Sequence, residues 1–173
     1  MAKKIARGNL TISLSELSQE IDLESYLGRK PTKSEKASFA ALAQATIEER
    51  TLDGKTINGG KFKEYSKAYA EFKGVTRSSV DLFLEGDMLE SIGRRSSKEK
   101  AGTVFMQMEK GLQTKKGFNH TSGDTVPKRN FFGVTDSEAR DIANEIKDST
   151  VTKKLSITAL KAALDELDIE QSE

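Results

Sequence analysis

The 173-residue chain has no cysteine, one histidine (His120) and no apolar run of signal or membrane-spanning length. Without cysteine a disulfide framework, thiol catalysis and thiolate metal sites are all excluded. A solitary histidine, with no second histidine and no tight carboxylate cluster near it in sequence, does not make a metal site, so no metal or cofactor is expected. The first residues, Met1-Ala2-Lys3-Lys4-Ile5-Ala6-Arg7, are basic like a signal n-region, but no apolar run follows them, and a soluble protein with no membrane partner is expected. Apolar residues make up 35% and charged residues 32%, enough for a core but a thin one for this length.

The net charge of +1 hides an uneven distribution. From Arg94 to Arg129 nine bases stand against three acids, whereas from Asp136 to Glu173 ten acids stand against five bases. A basic middle and an acidic tail can attract neighbouring copies, or be two solvated faces. The bases form one set of candidate interaction residues: Arg94, Arg95, Lys115, Lys116, Lys128 and Arg129, with His120 among them and Phe131 and Phe132 beside the last pair.

Periodicity supplies the elements. Leu10, Ile12 and Leu14 alternate with Thr11, Ser13 and Ser15, the pattern of a half-buried strand. Leu17, Ile21, Tyr26 and Leu27 suit a short helix or irregular turn ending at Gly28. Thr32-Lys33-Ser34-Glu35 is a capping box, and Phe39, Leu42, Ala43, Thr46 and Ile47 share one face of a helix reaching about Arg50. Gly54-Lys55-Thr56 is not a phosphate loop, because the required upstream glycine is replaced by Glu49 and no strand leads in; Asp53-Gly54 and Asn58-Gly59-Gly60 are turns. Phe62, Tyr65, Tyr69 and Phe72 recur at three, four and three residues, a helical stripe flanked by lysines that fits a core face better than a base-stacking surface. Val80, Leu82 and Leu84 alternate as a strand leading into Met88 to Ile92. That segment and Thr103 to Met108 are read as a strand pair, with Val104, Met106 and Met108 on one face and Phe105 and Gln107 on the other.

A polar basic loop is expected from Lys110 to Lys128, and in the extended run after it Phe131 and Phe132 point to opposite sides, one inward and one outward. Thr135-Asp136-Ser137-Glu138 opens a helix carrying Ala139, Ile142, Ala143 and Ile146. Ser149 to Lys154 is a linker, and a last helix places Ile157, Leu160, Leu164 and Leu167 on one stripe. The expected fold class is α+β: an antiparallel sheet with a long helix packed on it, C-terminal helices and long basic loops. Residues 1–150 form one domain, and 151–173 a C-terminal helix and acidic tail.

No nucleophile lies beside a candidate base, so an enzyme is not expected. Two binding functions remain, a nucleic-acid binder using the basic middle and an assembly protein. The order Gly86-Asp87-Met88-Leu89-x-Ser91-Ile92, a strand pair, a Gly-rich loop with a histidine, and Pro127-x-Arg129-x-Phe131-Phe132-Gly133 ahead of a helix resembles the virion morphogenesis (tail completion) family of tailed bacteriophages, including those related to phage Mu. The run Gly59-Gly60-Lys61-Phe62-Lys63-Glu64-Tyr65-Ser66-Lys67-Ala68-Tyr69-Ala70 is similar to that family's central segment, so the resemblance spans Thr51 to Asp148. It implies a structural virion protein at the head-tail junction, assembled in the host cytoplasm. Such a protein forms a homo-oligomeric ring, sixfold in the family picture, that completes the tail or joins it to the capsid connector. The implied partners are other copies, the tail tube or connector proteins, and DNA passing through the ring.

Overall fold

A computed structural model of the chain describes residues 3–82 and 86–149. Its frame is a four-stranded antiparallel sheet in the order β1-β2-β4-β3, formed by β1 (Gly8–Ile12), β2 (Leu17–Asp22), β3 (Ile92–Arg94) and β4 (Thr103–Met108). Gly8 pairs with Ile21 and Ile12 with Leu17 across the first hairpin, Ser18 with Gln107 at the centre, and Ile92 with Met108 at the far edge. The expected strand near Leu10 is present. The segment after it divides: Leu17 to Asp22 form a strand and not a helix or irregular turn, whereas Tyr26 and Leu27 lie in the expected short helix ending at Gly28. Leu17 and Ile21, four apart, fit either period, and the decisive inward position between them is a glutamine. Gln19 is 1% exposed because its side chain holds both polar groups of Val134, donating to the carbonyl at 3.0 Å and accepting from the amide at 2.7 Å.

One face of the sheet carries Leu17, Gln19, Ile21, Val104, Met106 and Met108, all buried. Against β3 and β4 packs the long helix α2 (Lys33–Leu52), reached through a short helix α1 (Leu23–Leu27) that ends at Gly28 in the left-handed conformation. The capping box at Thr32 is formed in both directions, and Phe39, Ala43 and Ile47 are buried as their spacing required. The opposite face bears Glu20 and Phe105, where Lys98 lies 5.2 Å from the centre of the Phe105 ring and Lys100 pairs with Glu20 at 3.0 Å.

Three further expectations are corrected. Helix α3 covers only Lys67–Lys73, started by Ser66 and stopped by Gly74, so Phe62 and Tyr65 reach the core from extended chain while Tyr69 and Phe72 turn outward, Phe72 at 75% exposure. Asp87–Glu90 is a turn of helix, α4, and the strand begins only at Ile92; of the strand expected from Val80 to Leu84, Val80 to Leu82 lie outside any strand and the rest falls outside the described residues. The supposed basic loop contains helix α5 (Leu112–Ser122). Its inward positions are Thr114, Gly117 and Thr121, which are too small and polar to show as an apolar stripe. A Cβ on Gly117 would stand 2.7 Å from Met108 Sδ and 3.2 Å from Leu17 Cδ2, so the missing side chain sets how closely α5 approaches the sheet.

A sixth helix, α6, runs over 136–149 from the Thr135 box, in which Thr135 and Glu138 bond reciprocally at 2.8 and 3.3 Å. The helix expected over Ile157 to Leu167 lies outside the described residues. Ahead of α6, Arg129 to Val134 form a buried strap. Both Phe131 and Phe132 are fully buried, their rings edge to face at 6.4 Å, so the expectation that one faces outward fails. The strap is covered on two sides: Ile57 donates to Asn130 at 2.7 Å, and the space a Cβ at Gly133 would enter is bounded by Ile57, Gln19 and Leu10. Among the described residues no helix is long and apolar enough to cross a membrane.

Candidate functional site

Folding splits the basic set. Arg94 is bound by Glu99 through two contacts of 2.7 Å, and that carboxylate also accepts from the Phe105 amide at 3.3 Å and lies 3.7 Å from Lys36. Burial raises the Glu99 pKa, but Arg94, the amide and Lys36 outweigh it and hold the group ionised below its ordinary value. Arg94 therefore clips the β3–β4 connection and is not part of an outward patch. Arg129 is also withdrawn, at 3% exposure. Arg95, Lys115, Lys116 and Lys128 remain exposed.

Arg129 and His120 are brought together, since the Arg129 amide donates to the His120 carbonyl at 2.7 Å. Both line a cavity of about 430 Å³, with Tyr65, Tyr69, Leu82 and Pro127 among its walls. An adjoining cavity of about 250 Å³ shares Tyr69, Leu82 and His120 and adds Asp87 and Lys116. The Arg129 guanidinium is held by backbone, with Nε donating to the Lys63 carbonyl at 2.9 Å and Nη2 to that of Glu64 at 3.0 Å, while its centre lies 5.2 Å from that of the Tyr65 ring. Tyr65 is itself fixed by Lys73, Asp81 and the Leu82 amide around its hydroxyl.

His120 is neutral at neutral pH. Burial pushes its pKa down to about 4, with the Arg129 charge adding to the effect, and its Nδ1 is buried with no hydrogen-bond partner. Leu82, on the same wall, has φ 54, a left-handed backbone that a branched aliphatic residue adopts only under constraint. The sequence pointed to His120 and Arg129 but not to Tyr65, Tyr69 or Leu82 as their neighbours. The lysine-flanked aromatics were the available signal, set aside in favour of core packing.

The arrangement offers one buried cation, one neutral imidazole and aromatic walls. Among the described residues there is no group of three metal-ligating side chains. That chemistry suits binding an anionic group. No family model matches the chain, and no curated protein and no solved structure matches it. Fold and site together define a class: an α+β domain with an antiparallel sheet under one long helix and a cationic, aromatic-walled cavity beside it.

Proposed function

We propose that this protein is a structural component of a tailed-phage virion. It assembles as a ring at the head-tail junction, where it completes the tail or joins it to the capsid connector. The observation that carries the reading is the nature of the residues that resemble the tail completion family. Met88, Leu89, Ile92, Phe131 and Phe132 are core, and Gly86 and Gly133 hold positive φ of 90 and 105. A family marked by such residues is marked by a frame and not by a reactive site. The frame leaves surfaces for assembly: β1 and β3 are sheet edges, and the first hairpin carries Ile12 and Leu14 at 38% and 58% exposure. In a head-to-tail ring each copy uses two different surfaces, and exposed bases such as Arg95 and Lys128 can face acids of the next copy.

The test is the mass of the purified protein across a range of concentrations and salt, with micrographs of tails to which it is added. A closed ring whose population falls as salt rises is expected, because exposed ion pairs are screened. Arg95→Glu with Lys128→Glu should weaken it without moving the melting temperature. A monomer at every concentration that never joins tails would overturn the reading. Nucleic-acid binding is the second reading, favoured by Tyr69 and Phe72, whose ring centres lie 6.2 Å apart on the outer side of α3. Steeply salt-dependent DNA binding by a protein that does not assemble would put it first.

A further inference from the structure

We propose that the cavity between the start of α3 and the end of α5 binds a carboxylate carried on an apolar or aromatic stem, with Arg129 as its charge partner. The inference does not depend on ring formation. Arg129 is almost wholly covered, yet among the described residues no carboxylate pairs with it; the nearby Glu64 carboxylate pairs with Arg77 at 3.4 Å and Asp81 with Lys73. Its Nε and Nη2 are spent on the Lys63 and Glu64 carbonyls, which leaves Nη1 without a partner among the described residues. Nη1 is not among the sealed polar atoms, and Arg129 lines the cavity. A covered guanidinium that keeps an open donor and no counter-ion is an anion site, since a charge-assisted hydrogen bond gains strength where water is scarce.

The charge count selects the anion. His120 stays uncharged, and the adjoining cavity adds one base, Lys116, together with one acid, Asp87. One net positive charge balances a carboxylate and leaves a dianionic phosphate half-compensated. The walls select the stem: Tyr69, Leu82, Val126 and Pro127 present apolar surface in a volume of about 430 Å³, more than a bare acetate fills. A free small acid and an acidic side chain of a polypeptide share this chemistry. The acidic-apolar stretch Leu164–Glu170 of a second copy is the polypeptide source to test.

Because the chain has a single histidine, the imidazole resonances of His120 report on the cavity without assignment. At constant ionic strength the protein would be titrated with phenylacetate, acetate, inorganic phosphate and a peptide spanning Leu164–Glu170. Saturable shifts with phenylacetate, weaker with acetate and phosphate, are expected; a peptide that binds about tenfold more tightly than phenylacetate assigns a polypeptide source, and phenylacetate alone assigns a small acid. Arg129→Gln should weaken binding about tenfold or more, the scale of one hydrogen bond to a charged group. If that variant does not fold, Val126→Phe fills the cavity while keeping Arg129 itself and should abolish binding. No saturable shift, phosphate binding tighter than phenylacetate, or parental affinity in Val126→Phe would each overturn the proposal.

Discussion

Replacing Arg50 with methionine tests the joint between the end of α2, the buried strap and the start of α6. Arg50 Nη1 donates to Glu138 Oε1 at 2.6 Å, and Nη2 donates to the carbonyls of Phe131 and Gly133, each at 2.7 Å. Methionine keeps the apolar stem and removes all three bonds. Breaking a buried ion pair by removing one partner costs about 3–5 kcal/mol. The Glu138 side chain is 19% exposed, so water recovers part of its solvation, and a loss of about 3 kcal/mol is expected. Against a total stability of about 5–15 kcal/mol this is large, and for a chain of this size it lowers the melting temperature by about 6–12 °C. Urea titration followed by circular dichroism would read it as a lower midpoint at unchanged slope. A double-mutant cycle with Glu138→Gln isolates the pair, and a coupling above about 1 kcal/mol is expected. The pH dependence gives a second reading. Burial raises the Glu138 pKa, but the Thr135 amide and Arg50 outweigh it, so the folded value lies below the unfolded one. A depressed carboxylate contributes stability above its unfolded pKa of about 4.3 and loses it as pH falls through the folded value. The parent should therefore lose stability below about pH 4, and Arg50→Met should lose less over the same interval. A variant within about 1 kcal/mol of the parent, or a coupling near zero, would show that the strap is held by its phenylalanines alone.

Phe39→Ala should cost about 3–5 kcal/mol by urea unfolding, since Phe39 on the inner face of α2 is fully buried; a midpoint close to the parent's would refute that packing. Gly8→Ala should prevent stable folding or cost more than about 3 kcal/mol, because a Cβ there falls 1.9 Å from the Glu20 carbonyl oxygen at φ +126, and parental thermal melting would refute the β1–β2 register. The His120 resonances should titrate with a midpoint near 4. As the folded pKa lies below the unfolded one, this histidine should cost stability as pH falls from about 6.5 toward that midpoint, and a midpoint above 6 would show the ring to be solvated. Glu35 is held down to about 2, first by Arg29 and then by the Thr32 amide, so Glu35→Gln should flatten the acid limb of the stability curve; an unchanged limb would mean that the capping box does not depend on charge.

Local chemistry was enough wherever an element declares itself within a few residues. The two capping boxes, Thr32 with Glu35 and Thr135 with Glu138, each needed only a hydroxyl, a carboxylate three positions on and a following apolar stripe, and both helices start where those residues stand. The alternation of Val104, Met106 and Met108 likewise marked β4 and its buried face, and so the α+β class. The places where local pattern misled were settled by what lies across the fold. β2 is a central strand because Gln19 finds both polar groups of Val134, a partner 115 positions away that no window of periodicity contains. Helix α5 turns Thr114, Gly117 and Thr121 inward, and at Gly117 Met108 and Leu17 leave no room for a side chain. Arg94 and Arg129 counted as surface charge until Glu99 claimed one and the carbonyls of Lys63 and Glu64 the other. Sequence alone determined which residues are charged, apolar or cap-forming, since these are properties of single side chains and near neighbours. Only tertiary structure decided which charges lose their water, because desolvation depends on atoms brought from distant parts of the chain.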